Sequence, residues 1–136
     1  MNPQSQPPSD SAPEPDGTQG ASWPEAVAAV RAFVAAREWA PFHDPKNLAM
    51  ALASEAGELL AELRWVDNSD ADRVCADPAK HVRVADELAD VLIVALLLAD
   101  RLGVDAPDVI RRKLAKNALK YPVEGSRGKA DPPPPT

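Results

Sequence analysis

Cysteine is almost absent from the sequence. Cys75 is the only one, so no disulfide can form within the chain, and a single thiol is compatible with a reducing compartment. The first residues also lack the basic and apolar segments of a secretory signal. We therefore expect a cytoplasmic protein.

Long apolar runs and an excess of positive charge are absent as well. The longest apolar run, residues 91–99, lies between two aspartates and is too short to cross a bilayer, so no membrane contact is expected. With 15 Lys and Arg against 21 Asp and Glu, the net charge is -6, which argues against binding of polymeric nucleic acid. A phosphate-bearing ligand is not excluded, because a bound divalent cation reverses the local charge.

Proline is concentrated at the two ends, where apolar periodicity is missing. Nine of the 15 prolines fall in residues 1–16 and 131–136, and such a composition is typical of disordered segments. We expect disordered tails at 1–21 and 123–136 around one folded domain at 22–122. A block of this size buries a modest core, so association into a homodimer or homotetramer would help to stabilise it.

The folded block has the pattern of four α-helices. Each start carries a capping residue close to a proline, at Ser22-Trp23-Pro24, Asp44-Pro45, Asp77-Pro78 and Asp105-Ala106-Pro107. The helices are predicted to span about 22–39, 45–65, 78–102 and 105–121, with Gly103 ending the third. This predicts an all-α four-helix bundle. Because residues 91–99 are apolar on every side of their helix, we expect a second subunit to cover part of it.

Carboxylates interrupt the apolar stripes of the second and third helices. Glu55, Glu58 and Glu62 lie in phase with the leucines of their helix, and Glu87 and Asp90 lie in phase with the apolar residues of theirs. An unpaired carboxylate in a core is costly, so these groups must be ion-paired, solvated at the mouth of the bundle, or bound to a cation. Two such acidic pairs favour a shared cation. All-oxygen ligands suit Mg²⁺ or Mn²⁺, and Mg²⁺ usually completes its coordination with water and substrate phosphates.

Two further groups of residues could bind such a substrate. The first runs along the fourth helix at spacings of three and four: Lys113, Lys116, Asn117 and Lys120. It forms either a solvated face or a phosphate clamp. The second consists of rings near the ends of the first two helices: Trp39, Phe42, His43 and Trp65. These rings either pack helix ends together or sandwich a base, which stacking favours by about 1–3 kcal/mol per base.

In their order and spacing these residues resemble the MazG-like superfamily of all-α nucleoside triphosphate pyrophosphatases, and within it the dCTP pyrophosphatase type. The segments that carry the resemblance are Glu38-Trp39-x-x-Phe42-His43-x-x-x-Asn47, Glu55-x-x-Glu58, Glu87-x-x-Asp90 and Lys113-x-x-x-Asn117-x-x-Lys120-Tyr121-Pro122. Together they cover nearly the whole folded block.

The resemblance implies hydrolysis of a (deoxy)nucleoside triphosphate, dCTP or a modified dCTP, to the monophosphate and pyrophosphate, as in cleaning of the nucleotide pool. It implies Mg²⁺, or alternatively Mn²⁺, on four carboxylates: Glu55, Glu58, Glu87 and Asp90. It implies contacts to the nucleotide from a further set: Trp39, Phe42, His43, Asn47, Trp65, Lys113, Asn117, Lys120 and Tyr121. Enzymes of this family form helical dimers that commonly pair into tetramers.

Three positions raise separate questions. Val30 and Val94 depart from the vertebrate dCTP enzymes, which carry a histidine and a tyrosine there, so the base and sugar preference is open. Gly57, between two glutamates, lacks a side chain and would let the third helix or a nucleotide approach closely.

The candidate catalytic acids are Glu55, Glu58 and Glu62. Either Glu55 or Glu62 could orient or deprotonate the attacking water, and the sequence does not decide between them. The alternatives to an enzyme are a non-catalytic helical adaptor with ion-paired acidic clusters and a metal-binding bundle. Neither alternative accounts for the segment from Lys113 to Pro122.

Overall fold

Capping residues start the helices where the sequence predicts. The computed structural model describes residues 20–129, and its α-helices are α1 (Trp23–Ala36), α2 (Pro45–Leu63), α3 (Pro78–Arg101), α4 (Ala106–Lys120) and the short α5 (Val123–Ser126). Two 3-10 turns, Ala40–Phe42 and Ala71–Ala76, lie in the connections before α2 and α3. Residues 20–129 contain no strand, so the predicted all-α class is confirmed.

Hydrogen bonds at the capping positions explain these starts. The Asp44 carboxylate accepts from two backbone N–H groups of the first turn of α2, both at 2.9 Å. Asp77 caps α3 in the same way, and Asp105 accepts from the N–H of Asp108 at 2.8 Å. These bonds satisfy backbone donors that the first turn of a helix leaves without partners.

α1 ends earlier than predicted, at Ala36 instead of near Trp39. Glu38 adopts a left-handed backbone conformation with φ of 52°, and the N–H of Trp39 donates back to the carbonyl of Val34 at 3.2 Å. This is the pattern that closes a helix at its carboxyl end, and glycine usually marks it. A glutamate at this position therefore carries no sequence signal. At the end of α3 the expected glycine is present, since Gly103 has φ of 65°.

α2 and α3 pack against each other along much of their length and form the centre of the fold. They run antiparallel. The end of α2 lies beside the start of α3, where Glu62 meets Lys80, and the start of α2 lies beside the second half of α3, where both helices line one cavity. α1 packs on α3, and the Arg31 guanidinium contacts the Asp100 carboxylate at 2.6 Å. The result is an α2–α3 hairpin with α1 against one side.

The buried core of a single chain is very small. Within the described residues, only Val34, Leu48 and Leu96 are buried apolar side chains. Large apolar side chains elsewhere stay exposed, including Leu92 and Ile93 on the all-apolar part of α3. A core this small leaves much of the apolar surface of the chain in contact with water.

α4 is the least packed of the four long helices. It makes no extensive contact with another helix of the described chain. Its apolar side chains are exposed, with exposed fractions of 55% for Ile110, 61% for Leu114 and 86% for Leu119. The four predicted helices are therefore present, but the fourth stands apart from the other three.

The expected tails lie mostly outside the described residues. The N-terminal tail was expected at 1–21, and only its last two residues, 20 and 21, are described. The C-terminal tail was expected from Val123, and the structure differs there in one respect, because α5 forms a single turn of helix at Val123–Ser126. No helix of residues 20–129 is long and apolar enough to cross a membrane.

Candidate functional site

Three carboxylates meet between α2 and α3. One carboxylate oxygen from each of Glu55, Glu58 and Glu87 lies within 4.8 Å of the other two. Glu55 and Glu58 share a helix face because they are three residues apart, and the antiparallel packing of α3 brings Glu87 opposite them. We call these three residues the acidic cluster. Oxygen ligands from both helices at this separation could hold one divalent cation.

The electrostatics of the acidic cluster fit a cation. Partial burial raises the pKa of Glu55, and the charges of Glu58 and Asp90 raise it further. The pKa of Glu87 is raised in the same way, by burial and then by repulsion from neighbouring carboxylates. Crowded carboxylates that repel each other are stabilised by a positive ion between them. The all-oxygen ligand set suits Mg²⁺ or Mn²⁺.

Asp90, the fourth predicted metal ligand, stands one turn beyond the acidic cluster. It is not one of the three residues whose oxygens meet, although its charge acts on both Glu55 and Glu87. Asp90 also lines the large cavity at this end of the hairpin. It therefore marks the place where the acidic cluster and the cavity join.

Glu62 lies one turn beyond the acidic cluster in the other direction, and it is ion-paired. Its Oε2 atom accepts from the Lys80 Nζ at 2.7 Å and from the Arg83 Nε at 3.2 Å. These bonds hold the pKa of Glu62 below its usual value. Lys80 and Arg83 were not among the predicted site residues. Their spacing of seven and four residues before Glu87 was the available signal, since it places both on the same face of α3.

A cavity of about 620 Å³ adjoins Asp90. Four predicted substrate-binding residues, Trp39, Phe42, His43 and Asn47, line it together. The end of α1, the turn Ala40–Phe42 and the start of α2 bring them to one place because the connection between the two helices is short. Such a mostly apolar pocket with a few polar groups is typical of a site for a small organic ligand.

Contacts among these residues fix their orientation. The Trp39 ring meets the His43 ring edge to face, with centroids 6.5 Å apart, and Phe33 meets Trp39 at 5.8 Å. The Asn47 side-chain amide donates to the carbonyl of Phe42 at 3.2 Å. Phe33 was not predicted as a site residue, because its position on the apolar stripe of α1 made it indistinguishable from a core residue.

The two positions at which the resemblance implies a departure from the vertebrate enzymes both lie on the cavity wall. Val30 projects from α1 and Val94 from α3, and each lines the cavity. Both side chains are apolar and carry no hydrogen-bonding group. These two positions therefore offer apolar contact alone, whereas Asp90, one turn before Val94 on α3, adds a carboxylate to the wall.

Five predicted substrate-binding residues do not line this cavity: Trp65, Lys113, Asn117, Lys120 and Tyr121. Trp65 follows α2 and is 86% exposed. Lys113 lines a separate shallow cavity on α4, and the Lys120 ammonium lies 5.3 Å from the centre of the Tyr121 ring. A single described chain therefore brings together about half of the predicted nucleotide contacts.

The expectation that the missing side chain of Gly57 lets the third helix approach closely is wrong. A Cβ atom built at Gly57 would meet nothing within 4 Å in the described chain. α3 does not approach this position closely, because α3 lies against the face that carries Glu55 and Glu58. The absence of a side chain at Gly57 has no packing reason within one chain.

The chain resembles known proteins in sequence and in structure. The model of the MazG-like family matches residues 50–131. Among curated proteins, dCTP pyrophosphatase 1 from Mus musculus is 39% identical over 98 residues, and that from Homo sapiens is 36% identical over 95 residues. These matches cover 72% and 70% of this chain but only 58% and 56% of the two relatives. The chain thus spans less than two thirds of their length.

A solved structure is similar over almost its whole length. It is a pyrophosphatase from Archaeoglobus fulgidus, with a TM-score of 0.67 and 34% sequence identity, and the match covers 77% of this chain and 96% of that one. The chain belongs to the MazG-like family. The resemblance to the dCTP pyrophosphatase type, drawn from the four sequence segments, is thereby confirmed.

Proposed function

We propose that the protein is a Mg²⁺-dependent nucleoside triphosphate diphosphohydrolase that converts dCTP, or a modified dCTP, to the monophosphate and pyrophosphate. The observation that carries the proposal is the junction of the acidic cluster with the mostly apolar cavity at Asp90. A nucleotide with its base in the cavity would have its phosphates at the acidic cluster. The names of the relatives, dCTP pyrophosphatases and a pyrophosphatase, support this assignment. Cleaning of the nucleotide pool would place the protein in the cytoplasm.

Glu55, Glu58 and Glu87 would hold the metal ion, with Asp90 beside them as the fourth carboxylate. When bound, Mg²⁺ would neutralise charge on the triphosphate and make a water molecule more acidic, and Mn²⁺ suits the same oxygen ligands. The two helices fix the carboxylates, so the phosphates would be held against one face of the hairpin while the base occupies the cavity. This positioning lowers the entropic cost of reaction.

The acids that act on water are proposed to be Glu55 and Glu58, because both belong to the acidic cluster. Glu62 already accepts hydrogen bonds from two cations, so it is the weaker proton acceptor. Of the two acids that the sequence leaves open, Glu55 is therefore favoured for orienting or deprotonating the attacking water.

The cavity would hold the base by stacking and by a few polar contacts. Trp39 and Phe42 supply aromatic surface, and His43 and Asn47 supply hydrogen-bonding groups. Stacking of this kind contributes about 1–3 kcal/mol per base. The apolar wall at Val30 suits a base edge or substituent without polar groups.

A second copy of the chain would complete the site. α4 carries predicted phosphate contacts such as Lys113 and Lys120, and its exposed apolar residues Ile110 and Leu114 form a surface that association would bury. We propose a homodimer or homotetramer in which α4 of one copy reaches the acidic cluster of another. Trp65, exposed at the end of α2, would also meet a second copy.

A screen for pyrophosphate release tests the proposal. The purified chain is incubated with Mg²⁺ and dCTP, the other standard dNTPs and NTPs, and 5-modified or oxidised dNTPs, and the products are separated. The expected products from dCTP or a modified dCTP are the monophosphate and pyrophosphate in equal amounts.

The matched variants are Glu58→Gln, which removes one charge of the acidic cluster, and Asp100→Asn, which removes one charge of the Arg31–Asp100 ion pair at the far end of α3. Glu58→Gln should be inactive and Asp100→Asn active. Absence of pyrophosphate from every nucleotide, with Mg²⁺ and with Mn²⁺, would favour the helical adaptor or the metal-binding bundle instead.

A further inference from the structure

One carboxylate oxygen holds two cations beside the acidic cluster. Glu62 Oε2 accepts from Lys80 at 2.7 Å and from Arg83 at 3.2 Å. Glu62 and Lys80 are partly buried, with side-chain exposures of 24% and 21%, whereas the Arg83 side chain is 53% exposed. Since Arg83 uses its Nε atom in this bond, the Nη atoms of its guanidinium can donate elsewhere.

The position of this group follows from helix geometry. Glu62 lies four residues after Glu58 on α2, and Arg83 lies four residues before Glu87 on α3, so each is one turn from the acidic cluster. Asp90 and the cavity lie at the opposite end of the cluster. Along one face of the hairpin the order is therefore cavity, acidic cluster, then the two cations with Glu62.

This order matches the order of groups in a nucleoside triphosphate. With the base in the cavity and the first phosphate at the acidic cluster, the terminal phosphates extend toward Lys80 and Arg83. Glu62, Lys80 and Arg83 together carry a net charge of +1, and the cationic side chains can donate hydrogen bonds to phosphate oxygens.

We propose that Lys80 and Arg83 bind the terminal phosphates, and that Glu62 is a positioning residue that holds both cations in place. The inference rests on the proposed function, since it assigns the leaving pyrophosphate to this end of the hairpin. In this account Glu62 takes no part in proton transfer. Its role is exerted through Lys80 and Arg83.

A structural ion pair is the competing explanation, and the Arg31–Asp100 pair between two helices serves for comparison. Arg31 and Asp100 join α1 to α3 through one cation and one carboxylate, with bonds of 2.6 and 2.7 Å that use both carboxylate oxygens. The Glu62 group differs in both respects, because it adds a second cation and because both of its bonds go to one oxygen, Oε2. A second cation alone does not indicate a site, since Asp108 pairs with both Arg111 and Arg112 within α4. The Glu62 group is distinguished by its place, because its two cations come from the other helix of the hairpin and lie beside the acidic cluster.

Binding of inorganic pyrophosphate in the presence of Mg²⁺, measured by calorimetry, tests the inference without turnover. Lys80→Met and Arg83→Gln should each weaken pyrophosphate binding about tenfold, the loss expected for one charge-assisted hydrogen bond. Binding of dCMP should change little, because its single phosphate lies at the acidic cluster. Asp100→Asn is the control and should leave both affinities unchanged.

Glu62→Gln gives the sharpest result, because two roles predict opposite signs. If Glu62 positions the cations, Glu62→Gln binds pyrophosphate more weakly than the wild type. In the same account, Arg83→Lys keeps part of the pyrophosphate affinity that Arg83→Gln loses, because lysine retains the positive charge. If Glu62 is only a nearby negative charge, its removal strengthens anion binding, and that result would overturn the positioning role. Pyrophosphate affinities that stay at the wild-type value in Lys80→Met and Arg83→Gln, with lower melting temperatures alone, would overturn the whole inference.

Failure of the inference is separable from failure of the proposed function. A wild-type chain that releases no pyrophosphate from any nucleotide contradicts the enzyme. If the wild-type chain hydrolyses dCTP and Arg83→Gln has the same KM and kcat, the proposed function stands and the role of Arg83 in phosphate binding is contradicted. The expected result is a higher KM in Lys80→Met and Arg83→Gln with a smaller change in kcat.

Discussion

The α2–α3 hairpin and α4 carry equally clear sequence segments, but they behave differently in one chain. The hairpin is packed along much of its length and brings Glu55, Glu58 and Glu87 together. α4 is well formed and capped, but it leaves Leu114 and Leu119 exposed and makes little contact with the hairpin. The proposed metal-binding half of the site therefore lies within one chain, whereas the part assigned to α4 is proposed to act in a second copy.

The hairpin and α4 also differ in how far their apolar side chains are buried. In the hairpin, Leu48 and Leu96 are buried. On α4, the apolar stripe formed by Ile110 and Leu114 faces solvent in the described chain. Burial of such a stripe by association would contribute about 25 cal/mol per Å² of apolar surface.

The largest effect is expected from removing one carboxylate of the acidic cluster in the hairpin. Glu58→Gln takes one negative oxygen from the acidic cluster while keeping the size of the side chain, so we expect hydrolysis to fall at least roughly a hundredfold. Glu58 is exposed, so the helix content measured by circular dichroism should stay the same. Wild-type turnover in this variant would place the metal site elsewhere.

The second largest effect is expected from truncating a buried apolar side chain of the hairpin. Leu48 is 3% exposed between α2 and its neighbours, so Leu48→Ala should lower the free energy of unfolding by about 2–5 kcal/mol. Denaturation in urea measures this change. The matched variant is Met50→Ala, since Met50 is 64% exposed on the same helix and should change stability by about 0.5 kcal/mol or less. Equal losses in both variants would show that the hairpin core is not where the structure has it.

A charge placed on the apolar stripe of α4 tests whether this helix packs against a second copy of the chain. Leu114→Asp should weaken self-association by roughly ten- to a hundredfold, because burying a leucine contributes about 1.5–3 kcal/mol. Light scattering at several micromolar concentrations measures the mass. Arg112→Glu, two residues from Leu114 and therefore on the opposite side of the helix, is the control and should keep the wild-type mass. A wild-type chain that is monomeric at these concentrations contradicts the account.

The smallest effect concerns Mg²⁺ and pH. The pKa values of Glu55 and Glu87 lie above the ordinary value of 4.5, so the folded chain binds these protons more tightly than the unfolded one. Their ionisation therefore lowers stability as pH rises through the raised pKa, and this loss is absent below 4.5, where both states are protonated. Mg²⁺ offsets the loss where the groups are ionised.

The melting temperature with and without Mg²⁺ gives the measurement. The increase should be largest near neutral pH and should shrink as pH falls through the raised pKa values toward 4.5. At ten times its Kd, the ion would add about 1.4 kcal/mol. Glu58→Gln should show a smaller increase at neutral pH. If Mg²⁺ raised the melting temperature equally at neutral pH and near pH 4.5, binding at the acidic cluster would be contradicted. The same holds if Glu58→Gln kept the full increase at neutral pH.

Local signals account for what the sequence predicts well. The starts of the helices follow from Asp44, Asp77 and Asp105, each of which caps within three residues of itself. The pairing of Glu55 and Glu58 with Glu87 follows from phase on two helices that pack. These features depend on neighbours in sequence or on one face of a helix, so periodicity and capping rules suffice.

Other features depend on contacts that periodicity does not specify. The ion pairs of Glu62 need the register of α3 against α2, and the closure of α1 at Glu38 uses a residue that rarely adopts a left-handed conformation. The distance of α4 from the cavity depends on what covers its apolar stripe. Because a partner chain can supply that cover, one sequence cannot assign Lys113 or Lys120 to the site in its own chain or in another.

Subunit complementation tests this division most directly. One variant, Glu58→Gln, disables the acidic cluster, and the other, Lys113→Ala with Lys120→Ala, disables α4. Each is expected to be nearly inactive alone. Co-expressed with different tags and purified as the mixed assembly, they should regain part of the wild-type rate of pyrophosphate release, because one intact cluster then meets one intact α4. A mixed assembly as inactive as its two parents would show that cluster and α4 act within one chain and would contradict the account.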